Sequence, residues 1–509
     1  MTASARTPAR LFSRRSLVRS LAAGSAATGM GMALAPTATA KDPNTPWTAD
    51  HVEHPGGTPD QTAIQDALDA ALPDGGHITV GAGVWNVEVP LRIHAGTRLT
   101  LAPGTTLLRT GETTTLLSNG PRDGSDTTTG GYDGPGDIIV EGGVWDVNVD
   151  NNPRPAWGIV FGHARNITVQ DLEIRNVPEW HAIEYNAIYN GLIQNCSLIR
   201  ATPRANGPWN AEALSIDLAY PGLQPFGAGD YTPSEMIRII GNHCEDWPTF
   251  AGCHSGYGGV WHNQFVISDN TMTNLSYWGV SLRNASRAVI TGNTMFDVGG
   301  GVWLRPTTVP ELQSVTSIVI SDNVIDTTTR NEGIRLAGQS ESGEDGQIYG
   351  ASVTGNVIRR ANTAGIVTRW SPEAHISDNS IFVTGAAGIE AQDCDLAVIA
   401  TNYIRDSQDE GLLVSGGRGQ QVTGNSVVNA GRAAPASTPA VRFNDVELVS
   451  VQGTTVRTRS GASKPSHAMV SNAGSSDIAY TNNDVRDSFA TAAFDMQGSG
   501  HVNNPPNIA

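Results

Sequence analysis

The sequence predicts an all-β fold: a right-handed parallel β-helix of about ten or more rungs, closed at its N-terminal end by a capping helix. Three observations predict it. An Asn-centred turn recurs along most of the chain. Short apolar runs separated by Gly, Asn and Asp fill the space between turns. One amphipathic helical stretch precedes them all.

The helical stretch is "TPDQTAIQDALDAAL", Thr58 to Leu72, with Ile64, Leu68 and Leu72 on one face. It lies in a cap expected over residues 55–75, followed by "GGHITVGAGVWNV" as a first rung. The turns centre on Asn242, Asn270, Asn293, Asn323, Asn356, Asn379, Asn402 and Asn425, at spacings of 28, 23, 30, 33, 23, 23 and 23 residues. Asn195 fits as an earlier member and Asn483 as a later one. Each period holds three short runs, too short and irregular for helices. Roughly 20–30 residues with three strands make one β-helix rung, whereas a propeller blade needs four strands over about 40. Asn suits the turn because it tolerates left-handed backbone and can bond to equivalent Asn side chains in the stack. Rungs are expected over about 76–500, with a polar insertion loop at 445–475, in a single catalytic domain, 41–509.

Residues 1–40 are read as an export leader. "SRRSLV", Ser13 to Val18, pairs arginines ahead of an apolar run, and "ATA", Ala38 to Ala40, offers a small-residue cleavage site. The pattern looks like a twin-arginine signal, which implies a secreted protein and no membrane association after cleavage. The leader holds five arginines and no acid, so without it 49 acids face 27 bases, a net charge of −22. That charge argues against nucleic acid and anionic lipid as partners. Cys196, Cys244, Cys253 and Cys394 lack zinc-ligand spacing, leaving open one disulfide or buried free thiols.

The third strand of each rung aligns as "HAIEYN" (181–186), "EALSID" (212–217), "AGCHSG" (251–256), "WGVSLR" (278–283), "GGVWLR" (300–305) and "EGIRLA" (332–337). Period-2 alternation puts Ile183, Leu214, Cys253, Val280, Val302 and Ile334 inside. It turns Glu184 and Asn186, Ser215 and Asp217, His254, Ser281 and Arg283, and Trp303 and Arg305 outward. Glu212 falls at the strand start. Rungs stack about 4.8 Å apart and two residues of strand span about 6.6 Å, so Glu184 and Asp217 are expected with Cα atoms about 8 Å apart. Two carboxylates so placed can act as general acid and base on a glycosidic bond. Trp180, Tyr257, Trp261, Tyr277 and Trp278 cluster nearby, and flat rings suit sugar faces. The connections "ATPRANGPWN" and "AYPGLQPFGAGDYTPSE" are expected to wall the cleft.

Repeats, cap and polar cluster together resemble the pectin-lyase-like superfamily over roughly residues 55–500. "GGVWDVN" (142–148) and "ARNITVQDLEIRNVPEWHAIEYNA" (164–187) resemble polygalacturonase-type glycoside hydrolases. The resemblance implies Asp217 among the catalytic acids, His254 as the catalytic histidine and Arg283 as a substrate-binding base. The sequence has no Asn-Thr-Asp, no Asp-Asp pair and no Gly-His-Gly, and "GCHSG" is a loose echo, so galacturonate specificity is not carried over.

The expected function is cleavage of a poly- or oligosaccharide by acid/base hydrolysis. Glu184 and Asp217 are the expected acid and base, His254 tunes one of them, and Glu212 is a further candidate. Asn186, His181, Arg283, Trp303, Arg305, Trp278 and Tyr257 are expected to bind substrate. No cofactor or metal is expected. The alternatives are a lyase, in which the acids hold Ca²⁺ and Arg283 abstracts a proton, an intramolecular glycosyl transferase, and a solenoid that binds glycan without cleaving it. Ca²⁺ favours six to eight oxygen ligands, which two outward acids do not supply.

Overall fold

The computed structural model describes residues 49–52, 61–121, 123, 125–202, 211–306, 313–338, 346–504 and 507–508. The leader and most of the "ATPRANGPWN" connection lie outside them. No helix among the described residues is long and apolar enough to cross a membrane.

Parallel strands pair rung upon rung in the all-β solenoid that the repeats predict. The single helix among the described residues is Gln61–Ala70. Ile64 and Leu68 are buried in the core, but the helix stops short of Leu72, which is 52% exposed. Gln65 docks the helix by accepting from the Arg92 amide at 2.8 Å and donating to its carbonyl at 3.1 Å.

The Asn side chains form a buried ladder. Asn242 Nδ2 donates to Asn270 Oδ1 at 3.0 Å, and the chain of bonds runs through Asn293, Asn323, Asn356, Asn379 and Asn402 to Asn425. Each amide group also reaches a main-chain carbonyl, as Asn270 does at Ile239. The polar groups of the turn are thereby satisfied inside the stack. The left-handed residue is the one before the Asn, such as Gly241, Asp269, Gly292 or Asp322, so the Asn is selected for its side-chain bonds. Asn195 corrects the expected alignment: it is itself left-handed, and Cys196 takes the ladder position, its amide donating to Asn242 Oδ1 at 2.9 Å.

The segment 445–475, expected as an insertion loop, carries strands Ser450–Gln452, Thr455–Arg457 and His467–Ser471 of the regular stack. Thr454 occupies the ladder position there, its amide donating to Asn483 Oδ1. A rung without Asn escapes an Asn-based repeat. The four cysteines are buried and free.

The inward column runs Ile183, Leu214, Ala251, Val280, Val302, Ile334, Ile366, Ile389 and Leu412, all buried. One rung departs from the predicted register. Ala251 pairs with Leu214 and Gly252 with Ser215, a shift of two residues. Phe250 stands where a small residue was expected, so aligning on Gly252 misplaced the rung. Continuing the strand brings His254 level with Asp217.

Candidate active site

Five consecutive rungs build one polar cluster. Their strands are Ile183–Gln194, Glu212–Asp217, Thr249–Gly252, Thr271–Arg283 and Thr294–Arg305. Asn186 neighbours Asp217, and Arg283 neighbours Arg305.

Asp217 is the most heavily bonded member. Its Oδ1 accepts from the amides of His254 (3.1 Å) and Ser255 (3.0 Å) and from Ser255 Oγ (2.7 Å). Its Oδ2 accepts from Ser215 Oγ at 3.0 Å and lies 2.9 Å from His254 Nδ1. Asp217 is 2% exposed, so these bonds replace the water it has lost.

Glu212 approaches the same imidazole nitrogen. Its Oε2 lies 3.5 Å from His254 Nδ1 and 3.7 Å from His181 Nδ1, and accepts no hydrogen bond among the described residues. Strict alternation would turn Glu212 with Leu214 toward the interior. Ala213 and Leu214 both pack in the core, which breaks the alternation and brings Glu212 to the polar face. Gly252 makes room for it, because a Cβ there would lie 2.7 Å from Glu212 Cγ. His181 Nδ1 donates to the Glu212 carbonyl at 2.7 Å, and its ring stacks on His254 with centroids 5.5 Å apart. Glu212 and Asp217 thus share His254, which corrects the expectation that Asp217 is partnered by Glu184.

Burial opposes charge on each member, and the mutual attractions outweigh it. The His254 imidazolium holds Asp217 and Glu212 below the usual carboxylate range. The two carboxylates in turn hold His254 well above its ordinary value. Its Nδ1 edge faces them, while Nε2 lies on the opposite edge of a side chain that is 21% exposed.

Glu184 and Asn186 hold the predicted register but are closed off. Asn186 Nδ2 donates to Glu184 Oε1 at 2.9 Å, and both residues are buried. Pro225 and Phe226 fill the space above Gly162, the rung neighbour of Asn186. This end of the face is packed, so Glu184 is not presented to a substrate as expected.

The opposite end is open and cationic. Arg283 and Arg305 are partly exposed neighbours that form no ion pair with the described residues. Arg305 donates to Ser281 Oγ at 3.2 Å and lies over the Trp303 ring at 3.6 Å. Burial lowers Arg283, and burial together with Arg283 lowers Arg305 to about 10. Trp278, expected to touch substrate, is fully buried against Gly300 and supports Trp303 with ring centroids 5.5 Å apart. Tyr257 is 42% exposed and stacks on Tyr231.

His181, Glu212 and His254 each offer a metal-ligand atom, all within 4.8 Å of one another. Two imidazoles and a carboxylate are a donor set for divalent transition metals. Both Nδ1 atoms, however, are already committed, to the Glu212 carbonyl and to Asp217. Ser215, Ser255, Ser281 and Gly252 were absent from the sequence-based site. Correct register of the 249–256 rung was the signal that would have found Gly252 and Ser255.

A family model described as periplasmic copper-binding protein (NosD) matches residues 263–455. No curated protein sequence matches the chain. Among solved structures, the surface adhesin PfbA of Streptococcus pneumoniae is 21% identical with a TM-score of 0.60, over 72% of this chain and 89% of that one. A tailspike protein mutant of Escherichia coli bacteriophage HK620, in complex with pentasaccharide, is 13% identical with a TM-score of 0.58, over 86% of this chain and 74% of that one. At these identities the likeness establishes the fold alone, a parallel β-helix.

Proposed function

We propose that the chain is an exported carbohydrate-active enzyme that hydrolyses a glycosidic bond, with His254 as proton donor and Glu212 as base. One observation carries the reading: His254 Nδ1 is shared by two carboxylates, Asp217 with both oxygens hydrogen-bonded and Glu212 whose Oε2 accepts no hydrogen bond among the described residues. Asp217 is then a positioning residue that fixes His254 Nδ1–H and keeps the imidazolium charged, leaving Nε2–H for the leaving oxygen. Glu212 is itself only 2% exposed but adjoins the partly exposed His254 side chain, and it takes a proton from a water that enters beside that ring and adds to the anomeric carbon. Exchange with solvent resets both groups. Arg283 and Arg305, desolvated and without an ion pair among the described residues, favour a sugar that carries an anionic group, and Trp303 offers a face for its ring. The pentasaccharide bound by the HK620 tailspike and the adhesin role of PfbA support an extracellular glycan as partner.

Product masses from a panel of plant, fungal and bacterial polysaccharides test the reaction. Hydrolysis adds the mass of water at each cut. Products without that mass, absorbing near the ultraviolet edge, would replace hydrolysis with elimination. Binding with no change in chain length would make the chain a lectin-like solenoid.

A further inference from the structure

Two loops rise from the polar cluster, and both are anchored at Asp217. The first, residues 218–233, leaves the end of the Asp217 strand and returns at Ser234, whose Oγ donates to the Asp217 carbonyl at 2.8 Å. The second begins at Ser255, whose Oγ donates to Asp217 Oδ1. The loops carry Tyr220 and Tyr231, and Tyr257.

These rings meet. Tyr231 and Tyr257 stack with centroids 3.8 Å apart and planes 18° apart, and Tyr220 packs edge-on against Tyr231 at 5.6 Å. Such contacts are unusual at exposed loop tips, where side chains ordinarily sample many rotamers. Here the first loop is fixed at its neck, where Ala219 N donates to Thr232 O and Tyr231 N to Ala219 O, each at 2.9 Å. It is also tied to the 126–132 segment. Gly131 N donates to Asp230 Oδ2 at 2.7 Å, Ala228 N to Thr129 O at 2.8 Å, and Tyr132 Oη to Pro233 O at 2.9 Å. The second loop is held by Asn284, which donates to the Tyr257 carbonyl at 3.2 Å, one residue beyond Arg283. Tyr231 adopts φ 61°, a left-handed conformation costly for an aromatic residue. The surroundings thus hold a strained backbone in order to present stacked rings beside the cluster.

We infer that Tyr231 and Tyr257, buttressed by Tyr220, form a sugar-stacking platform, a binding subsite separate from Trp303. An aromatic face covers the apolar C–H face of a pyranose, and a pre-stacked ring loses little conformational entropy on binding. Trp303 and Arg305 stand two rungs beyond the rung from which the Tyr257 loop departs, so the protein engages at least two sugar units at once. Its ligand is therefore an oligosaccharide chain rather than a single sugar. The inference rests on reading the adjoining cluster as a glycan site, though not on cleavage there.

The test is binding of fluorescently labelled protein to an array of plant, fungal and bacterial oligosaccharides. Wild type, Tyr257→Ala, Tyr257→Trp and the distal Arg369→Ala are compared. Tyr257 is exposed, so its substitutions leave folding intact, which circular dichroism checks. We expect Tyr257→Ala to weaken retained glycans at least about tenfold, the equivalent of about 1.4 kcal/mol, with Tyr257→Trp restoring binding. Arg369→Ala, on a distal rung, is expected to keep binding. Equal retention by wild type and Tyr257→Ala overturns the platform, as does a wild type that retains no glycan. Binding through Tyr257 without cleavage by wild type leaves the platform standing and overturns the hydrolase reading alone.

Discussion

The rungs around residues 181–305 and those around 366–444 share one backbone plan, yet use the same outward columns differently. In the distal rungs charges are paired across the stack. Arg369 lies 3.0 Å from Glu390, and Arg442 Nε donates to Glu410 at 2.7 Å. In the proximal rungs two carboxylates converge on one histidine, and two neighbouring arginines have no carboxylate partner among the described residues. The distal charges satisfy one another within the stack. The proximal pattern leaves like charges side by side in a partly desolvated place, an arrangement a fold does not need and a ligand can complete.

Three substitutions sharpen this contrast. The largest effect is expected at Asp217. Asp217→Asn leaves the imidazolium with one carboxylate, and should cost about 3 kcal/mol of stability and at least about 100-fold in kcat. The effect depends on pH. The depressed Asp217 contributes stability above its ordinary value of 3.8, lost as pH falls through its lower folded value. The raised His254 contributes stability below its ordinary value of 6.5, lost as pH rises through its higher folded value. The melting difference between wild type and Asp217→Asn should therefore be greatest between about pH 4 and 6.5. A difference independent of pH would show that the two groups are not coupled.

Arg283→Met comes next. Removing a partly buried charge that has no ion pair among the described residues should raise Tm by a few degrees while raising KM about tenfold. A fall in Tm with KM unchanged would make Arg283 structural. The smallest effect belongs to the distal control. Arg369→Ala should change stability by no more than about 1 kcal/mol and leave kcat and KM alone. A loss of activity there would extend the site well beyond its apparent end.

The fold was legible because a solenoid repeats its instructions. Each Asn of the ladder is seen once per rung, and the inward column repeats Ile, Val and Leu at one register. The places that resisted reading are those where another residue fills the role. Cys196 and Thr454 stand in the Asn ladder, and Phe250 in a small-residue position. The cluster was legible in part. Asp217, Arg283 and Arg305 follow from register and type, whereas His254 follows from type and rung order alone, its register being off by two residues. Glu212 ranked lower because it falls at the strand start, and sequence does not show that Ala213 and Leu214 both pack in the core and bring it to the polar face. Glu184 was promoted because sequence does not show Pro225 and Phe226 closing that end of the face.

The central claim is that Glu212 and His254 carry out hydrolysis. Its most direct test is product mass in ¹⁸O-labelled water, comparing wild type with Glu212→Gln on a polysaccharide that the wild type cuts. The account predicts one labelled oxygen per cut from wild type and at least a 100-fold slower cut from Glu212→Gln. Unlabelled, unsaturated products, or a Glu212→Gln protein as fast as wild type, would contradict it.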